Sequence, residues 1–144
     1  LVGTDGAADA TAILEGLSSR LTLADSDETT RSYERHAMHL SGVIDVLVKG
    51  IRLPDRRSKN ILKILRLEYS LIALLCQNNY ELQYSCQKHL RLFLSDVKHG
   101  VNAALAVTEI VSGNMLMIES IANEAVVVEI CSSLVQNPRV SCLR

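Results

Sequence analysis

Three histidines and two cysteines are the residues whose spacing could support chemistry. His36 and His39 lie three residues apart in the segment YERHAMHL. On a helix they would share one face, and together with Glu34 they could begin a metal site. No further ligand lies nearby at a diagnostic spacing, so solvated or capping histidines are the more ordinary interpretation. We expect no metal and no cofactor.

Cys86 and His89 form a second pair three residues apart, and Cys76 precedes them. Thiol catalysis needs a base that a third group holds in place, and it needs a lowered thiolate pKa. The sequence identifies no Asn or Asp that would hold His89. Buried structural cysteines are therefore the better interpretation. Neither a phosphate-binding loop nor a paired-carboxylate motif is present, and we expect a protein that is not an enzyme.

A dense basic run is the strongest candidate for a binding surface. Its members are Lys49, Arg52, Arg56, Arg57, Lys59, Lys63 and Arg66. The last residues of the run recur at intervals of three and four from Arg56 onward, which predicts one strongly positive helix face. Such a face could bind an acidic protein segment, nucleic-acid phosphates or anionic lipid, or it could be plain solvated surface. The run contains no aromatic residue, which argues against binding of single-stranded nucleic acid.

The distribution of charge supports a positive surface in the middle of the chain. The net charge is −1, but residues 49–99 carry ten basic and four acidic residues. The segments before and after them are both net acidic. A polyelectrolyte-binding function of the whole chain is therefore excluded, and an acidic partner for the middle segment is favoured.

Composition and periodicity predict an all-α fold. Hydrophobic residues make up 48% of the chain, with two prolines and seven glycines, which suits long helices packed through aliphatic side chains. We expect the helix at 57–77 to be central and largely buried, because its apolar positions cover more than one face. The predicted helices cover residues 5–23, 26–40, 43–51, 57–77, 80–95, 101–112, 115–123 and 124–136.

Two segments of the chain share a layout that indicates a repeat. Each has an apolar helix, a polar break, a short helix and a second apolar helix, and the breaks lie at residues 77–79 and 112–114. Over about residues 37–137, this layout resembles the armadillo family of helical repeats. The residues that carry the resemblance are Gly42, Ala103, Ala104, Ala106, Gly113, Asn114, Ile118, Ile121 and Ala125.

The resemblance implies an armadillo-like α-solenoid segment of about two to three helical repeats in residues 37–144. Residues 1–36 would then form an N-terminal helical extension or cap. Neighbouring units of such folds stack, because no unit buries its apolar face alone, and the stack leaves a groove for a peptide or helix of a partner protein. We therefore expect a protein-interaction scaffold or adaptor. A homo-oligomerisation module, and a nucleic-acid or lipid contact through the basic run, are the alternatives.

The cysteines and the first residues bear on the location of the protein. Cys76, Cys86, Cys131 and Cys142 form no CxxC pair, and three of them lie in apolar helical patterns. This favours free thiols in an intracellular compartment, either cytoplasmic or nuclear. No stretch has the length and apolarity of a membrane span, and no secretory signal is recognisable. Because the chain begins with Leu1 rather than Met, we expect it to be part of a larger protein.

Overall fold

The computed structural model describes residues 4–22, 27–52 and 55–121, and these residues form helices and no strand. The predicted all-α class is therefore confirmed for the described residues. The predicted helix at 124–136, with Cys131 and Cys142, lies outside them. In chain order the elements are α1 (Thr4–Thr22), α2 (Glu28–Leu40), α3 (Val43–Arg52), α4 (Lys59–Cys76), α5 (Tyr80–Gln87), α6 (Leu90–Asp96), a 3₁₀ turn (Val97–His99), α7 (Ala103–Val111) and α8 (Met115–Ile121).

Helix α4 is the centre of the fold, as its apolar pattern predicted. It packs against α1, α3, α5 and α7, and Leu65, Leu71 and Ile72 are fully buried. Leu14 and Leu21 of α1 belong to the same buried core. The predicted boundary at residue 36 lies inside α2, and the division into an extension and repeats stays a prediction.

The two predicted breaks have the same backbone geometry. At each break the helix ends at an extended residue, and the next residue is left-handed, with φ of 53° at Asn78 and 66° at Gly113. An asparagine follows and caps the next helix. Asn79 Oδ1 accepts the backbone N–H three residues on at 3.1 Å, and Asn114 Oδ1 does the same at 3.0 Å. This equivalence supports a repeated unit, whereas the stacking of units into a solenoid stays a prediction.

The predicted helix at 80–95 is two helices rather than one. α5 ends at Gln87 and α6 begins at Leu90, and in the turn between them His89 N–H donates to Cys86 O at 2.9 Å. Neither Gly nor Pro occurs in this turn, so the sequence carries no local signal for it. The turn keeps Cys86, Leu90 and Phe93 in the core.

Candidate functional site

The predicted basic face is divided among three parts of the chain. Lys49 and Arg52 lie on α3, Arg56 and Arg57 in the α3–α4 connection, and Lys59, Lys63 and Arg66 on α4. All of them are exposed except Arg56, which is partly buried. Arg56 also precedes the first residue of α4, so the structure does not place it on the helix face that the spacing predicted.

Three cations form an exposed row along α4, and we call Lys59, Lys63 and Arg66 the α4 basic row. Intervals of four and three residues bring them to one face over about 10 Å, at about 1.5 Å per residue. Among the described residues, no carboxylate lies within ion-pair distance of any of the three. The other side of α4 carries fully buried residues such as Ile72 and Leu75. The fold therefore presents the row to solvent.

Arg56, in the α3–α4 connection, forms a charge cluster with buried residues of α4 and α6. Its Nε and Nη2 atoms donate to the two carboxylate oxygens of Asp96, both at 3.0 Å, and Nη2 also donates to Ile51 O at 2.7 Å. Asp96 is 2% exposed and accepts a further hydrogen bond from Tyr69 Oη at 2.6 Å. Hydrogen bonding to Asp96 raises the pKa of Arg56, and burial raises the pKa of Tyr69. Arg56 thus attaches the connection to α6.

Glu68 is a second buried acid of this region. Its side chain lies against the backbone of Gly50 on α3, where a Cβ atom would collide with Glu68 Oε1. The residue is 7% exposed, and Oε2 is buried without a hydrogen-bond partner. Burial raises the pKa of Glu68 to about 7, and the attraction of Arg56 opposes that shift.

We expect Glu68 to lower the stability of the chain as the pH rises from about 4.5 to about 7. The pKa is higher in the folded chain than in the unfolded chain, so the folded state holds more protons in this window. Above the window the charged form costs on the order of 3 kcal/mol. Denaturant titrations of wild type and Glu68→Gln test this, because the variant should gain stability relative to wild type at about pH 8 but not at about pH 4.5. Glu15→Gln, which changes an exposed acid of α1, should follow wild type, and a Glu68→Gln curve parallel to wild type would contradict the assignment.

The burial of acids makes the surface of residues 49–99 more basic than the sequence indicates. Of the four acidic residues there, Asp96 and Glu68 are buried, and Glu81 Oε2 lies 3.1 Å from His36 Nδ1. Asp55 is exposed and accepts the backbone N–H of Arg57 at 3.1 Å. Apart from Arg56, the basic residues of this segment are exposed, whereas two of its four acidic residues are buried.

The cations of α3 lie beside a smaller charged group. Arg52 Nη2 is 3.5 Å from His89 Nδ1, and Asp45 Oδ1 is 3.2 Å from Lys88 Nζ and 3.5 Å from His89 Nε2. Lys88 lowers the pKa of Asp45, and burial lowers the pKa of His89. Arg52 therefore contacts the turn between α5 and α6, whereas Lys49 has no ion pair within the described part of the chain.

The two histidines that could have begun a metal site attach α2 to α5. His36 contacts Glu81, and Ser85 Oγ lies 3.4 Å from His39 Nδ1. The two side chains thus have separate partners on successive turns of α5. In the described ranges, no group of three or more His, Cys, Asp or Glu side chains is placed to hold a metal ion.

The cysteine pair lies in the core. The Sγ atoms of Cys76 and Cys86 are 3.6 Å apart, and both residues are fully buried. The contact with Cys86, together with burial, raises the pKa of Cys76. This shift is opposite to the one that a nucleophilic thiolate needs, so the geometry favours a structural role for the pair.

An apolar groove between α5 and α8 is a surface that the sequence interpretation missed. It has a volume of about 660 Å³, and its lining includes Tyr80, Tyr84, Met115 and Leu116. Tyr84 is 73% exposed and Leu116 is 80% exposed. The four-residue spacing of Tyr80 and Tyr84 predicts that both lie on one face of a helix. That spacing does not show whether the face is buried or exposed.

None of the helices in the described part of the chain is long and apolar enough to cross a membrane. Comparison of the chain with protein-family models, with curated proteins and with solved structures finds no match. The resemblance to armadillo repeats rests on the residue pattern and on the equivalent breaks, and it stays a prediction.

Proposed function

We propose that this chain is a non-enzymatic protein-interaction module, and that it binds an acidic helix or peptide of a partner through the α4 basic row. The observation that carries the proposal is the exposed charge of Lys59, Lys63 and Arg66, which no acid of the described residues offsets. Like charges at intervals of three and four residues destabilise a helix. A bound acidic segment relieves that repulsion.

The spacing of the row favours a helical partner. Carboxylates at positions i, i+4 and i+7 of a partner helix lie along one face at the same intervals as the three cations. Arg57, exposed two residues before the row, extends the positive surface toward the partner's flanking residues. Electrostatic complementarity of this kind acts mainly on the rate of association and on specificity.

Two features favour a protein partner over nucleic acid or lipid. No aromatic residue lies between residues 49 and 66, so the surface lacks the stacking platform of single-strand binding. The large exposed apolar residues of the described chain lie on other helices than α4. The row therefore lacks the apolar face with which interfacial helices enter a bilayer.

We expect the double variant Lys63→Glu/Arg66→Glu to lose at least about tenfold in affinity for an acidic helical peptide, because two attractive contacts become repulsive. The probe is a labelled peptide with Glu at positions i, i+4 and i+7, and the measurement is fluorescence anisotropy at low and at high salt. Binding of the wild type should weaken as salt increases.

A matched control keeps the change in net charge but leaves the row intact. Arg91 and Lys98 are exposed cations, seven residues apart on α6 and the 3₁₀ turn. The variant Arg91→Glu/Lys98→Glu should retain the affinity of wild type. Equal losses in both variants, or binding of a duplex oligonucleotide or anionic vesicles in place of the peptide, would overturn the proposal.

A further inference from the structure

We infer that the contact between Glu68 and Gly50 is a proton-controlled joint between α3 and α4: the protonated carboxyl stays against the α3 backbone, and the carboxylate moves to water and loosens α3 from α4.

The joint is built on a close approach that only glycine allows. Any Cβ at residue 50 would collide with Glu68 Oε1. Gly50 lies inside α3, where glycine costs about 1 kcal/mol of helix stability relative to alanine. The carboxyl therefore occupies space that a side chain of α3 would otherwise fill.

The carboxyl at this joint lacks the partners that a buried charge requires. Its Oε2 atom is buried and accepts no hydrogen bond from the described residues. A protonated carboxyl tolerates such a site far better than a carboxylate, because desolvation penalises the charged form. Burial accordingly raises the pKa of Glu68 to about 7.

The charged and titratable groups around Glu68 do not remove this penalty. Arg56 acts on Glu68 from the α3–α4 connection, but its Nε and Nη2 atoms bind the carboxylate of Asp96 on α6. Tyr69, the next residue of α4, also donates its hydroxyl to Asp96. On α3, Lys49 and Arg52 flank Gly50 in sequence but are exposed. Asp96 therefore holds these donors of Arg56 and Tyr69, and the charge of Arg56 opposes the effect of burial on Glu68 only in part.

Opening of the joint would alter the basic surface. α3 carries Lys49 and Arg52, and α4 carries the row, so loosening of one helix from the other changes the distance between the two groups of cations. This consequence rests on the proposed function, whereas the joint itself does not.

Hydrogen exchange of α3 amides in the 144-residue chain, corrected for the intrinsic pH dependence of exchange, tests the joint. The opening equilibrium should rise about tenfold per pH unit between about pH 5 and pH 7 and level off above, because the open state releases its proton at a lower pH than the closed state. In Glu68→Gln this rise should be absent, and amides of α7, which packs against α4, α5 and α6, should not follow it in wild type. A rise that persists in Glu68→Gln, or that α7 shares, would overturn the joint.

A second measurement, made on wild type, does not depend on whether Glu68→Gln folds. In wild type, the side-chain carboxyl carbon of Glu68 should titrate near pH 7 by NMR, and in Gly50→Ala, which displaces the carboxyl from the backbone, it should titrate lower. A wild-type midpoint below about pH 5 would overturn the inference. If wild type does not bind the acidic peptide but its α3 amides show the pH-dependent hydrogen exchange, only the proposed function is overturned. If wild type binds the peptide but the hydrogen exchange of its α3 amides does not depend on pH, only the joint is overturned.

Discussion

Replacement of Asp96 by alanine is expected to lower the free energy of unfolding by about 3–5 kcal/mol, because it removes one partner of a buried ion pair. Asp96 is 2% exposed, accepts two hydrogen bonds from Arg56 and accepts a third from Tyr69 Oη at 2.6 Å. Without it, the guanidinium and the hydroxyl lose the carboxylate that they bind, and the connection between α3 and α4 loses its attachment to α6. Denaturant unfolding followed by circular dichroism measures the loss.

Asp9→Ala is the matched control for this prediction, because Asp9 is an exposed aspartate of α1. Its free energy of unfolding should stay within about 0.5 kcal/mol of wild type, as is usual for surface substitutions. A loss below about 1 kcal/mol in Asp96→Ala would show that the cluster does not hold the connection in place.

Replacement of Gln83 by leucine is expected to lower the free energy of unfolding by about 3 kcal/mol, because it removes a buried amide that binds carbonyl oxygens at the ends of α4 and α7. Gln83 is fully buried. Its Nε2 atom lies within 3.0–3.2 Å of the carbonyl oxygens of Cys76, Glu109 and Ser112, and its Oε1 accepts from Asn114 Nδ2 at 3.0 Å. One side chain therefore joins the end of α4, the end of α7 and the cap of α8.

Gln77→Leu provides the comparison, since the Gln77 side chain is exposed at the end of α4. This variant removes the same chemical group from an exposed position, so its free energy of unfolding should remain near that of wild type. If both glutamine variants unfold at the same denaturant concentration, the Gln83 side chain does not hold α4, α7 and the cap of α8 together.

Much of the secondary structure could be predicted because its signals are local. Apolar residues at helical spacing marked the helices, except that α5 and α6 were predicted as one helix. Asn78 and Gly113 marked the two breaks, since both residue types tolerate a left-handed backbone. The likeness of the breaks was visible in the sequence, but their shared asparagine caps appeared only in the structure.

The candidate site was harder to predict, because sequence spacing does not show which charges are buried. Arg56 continues the helical interval of the α4 basic row, yet it binds Asp96, forty residues away in sequence. Glu68 lies in the sequence of α4 without any sign of burial, yet it packs against Gly50 of another helix. Both outcomes depend on long-range packing, which neither periodicity nor charge counting contains.

A reciprocal charge exchange is the most direct test of whether the α4 basic row binds an acidic segment. The triple variant Lys59→Glu/Lys63→Glu/Arg66→Glu would be titrated against the acidic peptide and against the same peptide with Lys at the three Glu positions. Wild type should prefer the acidic peptide, and the variant should prefer the basic peptide, each by at least about tenfold. A variant that binds neither peptide while remaining folded, or that still prefers the acidic one, would contradict the account.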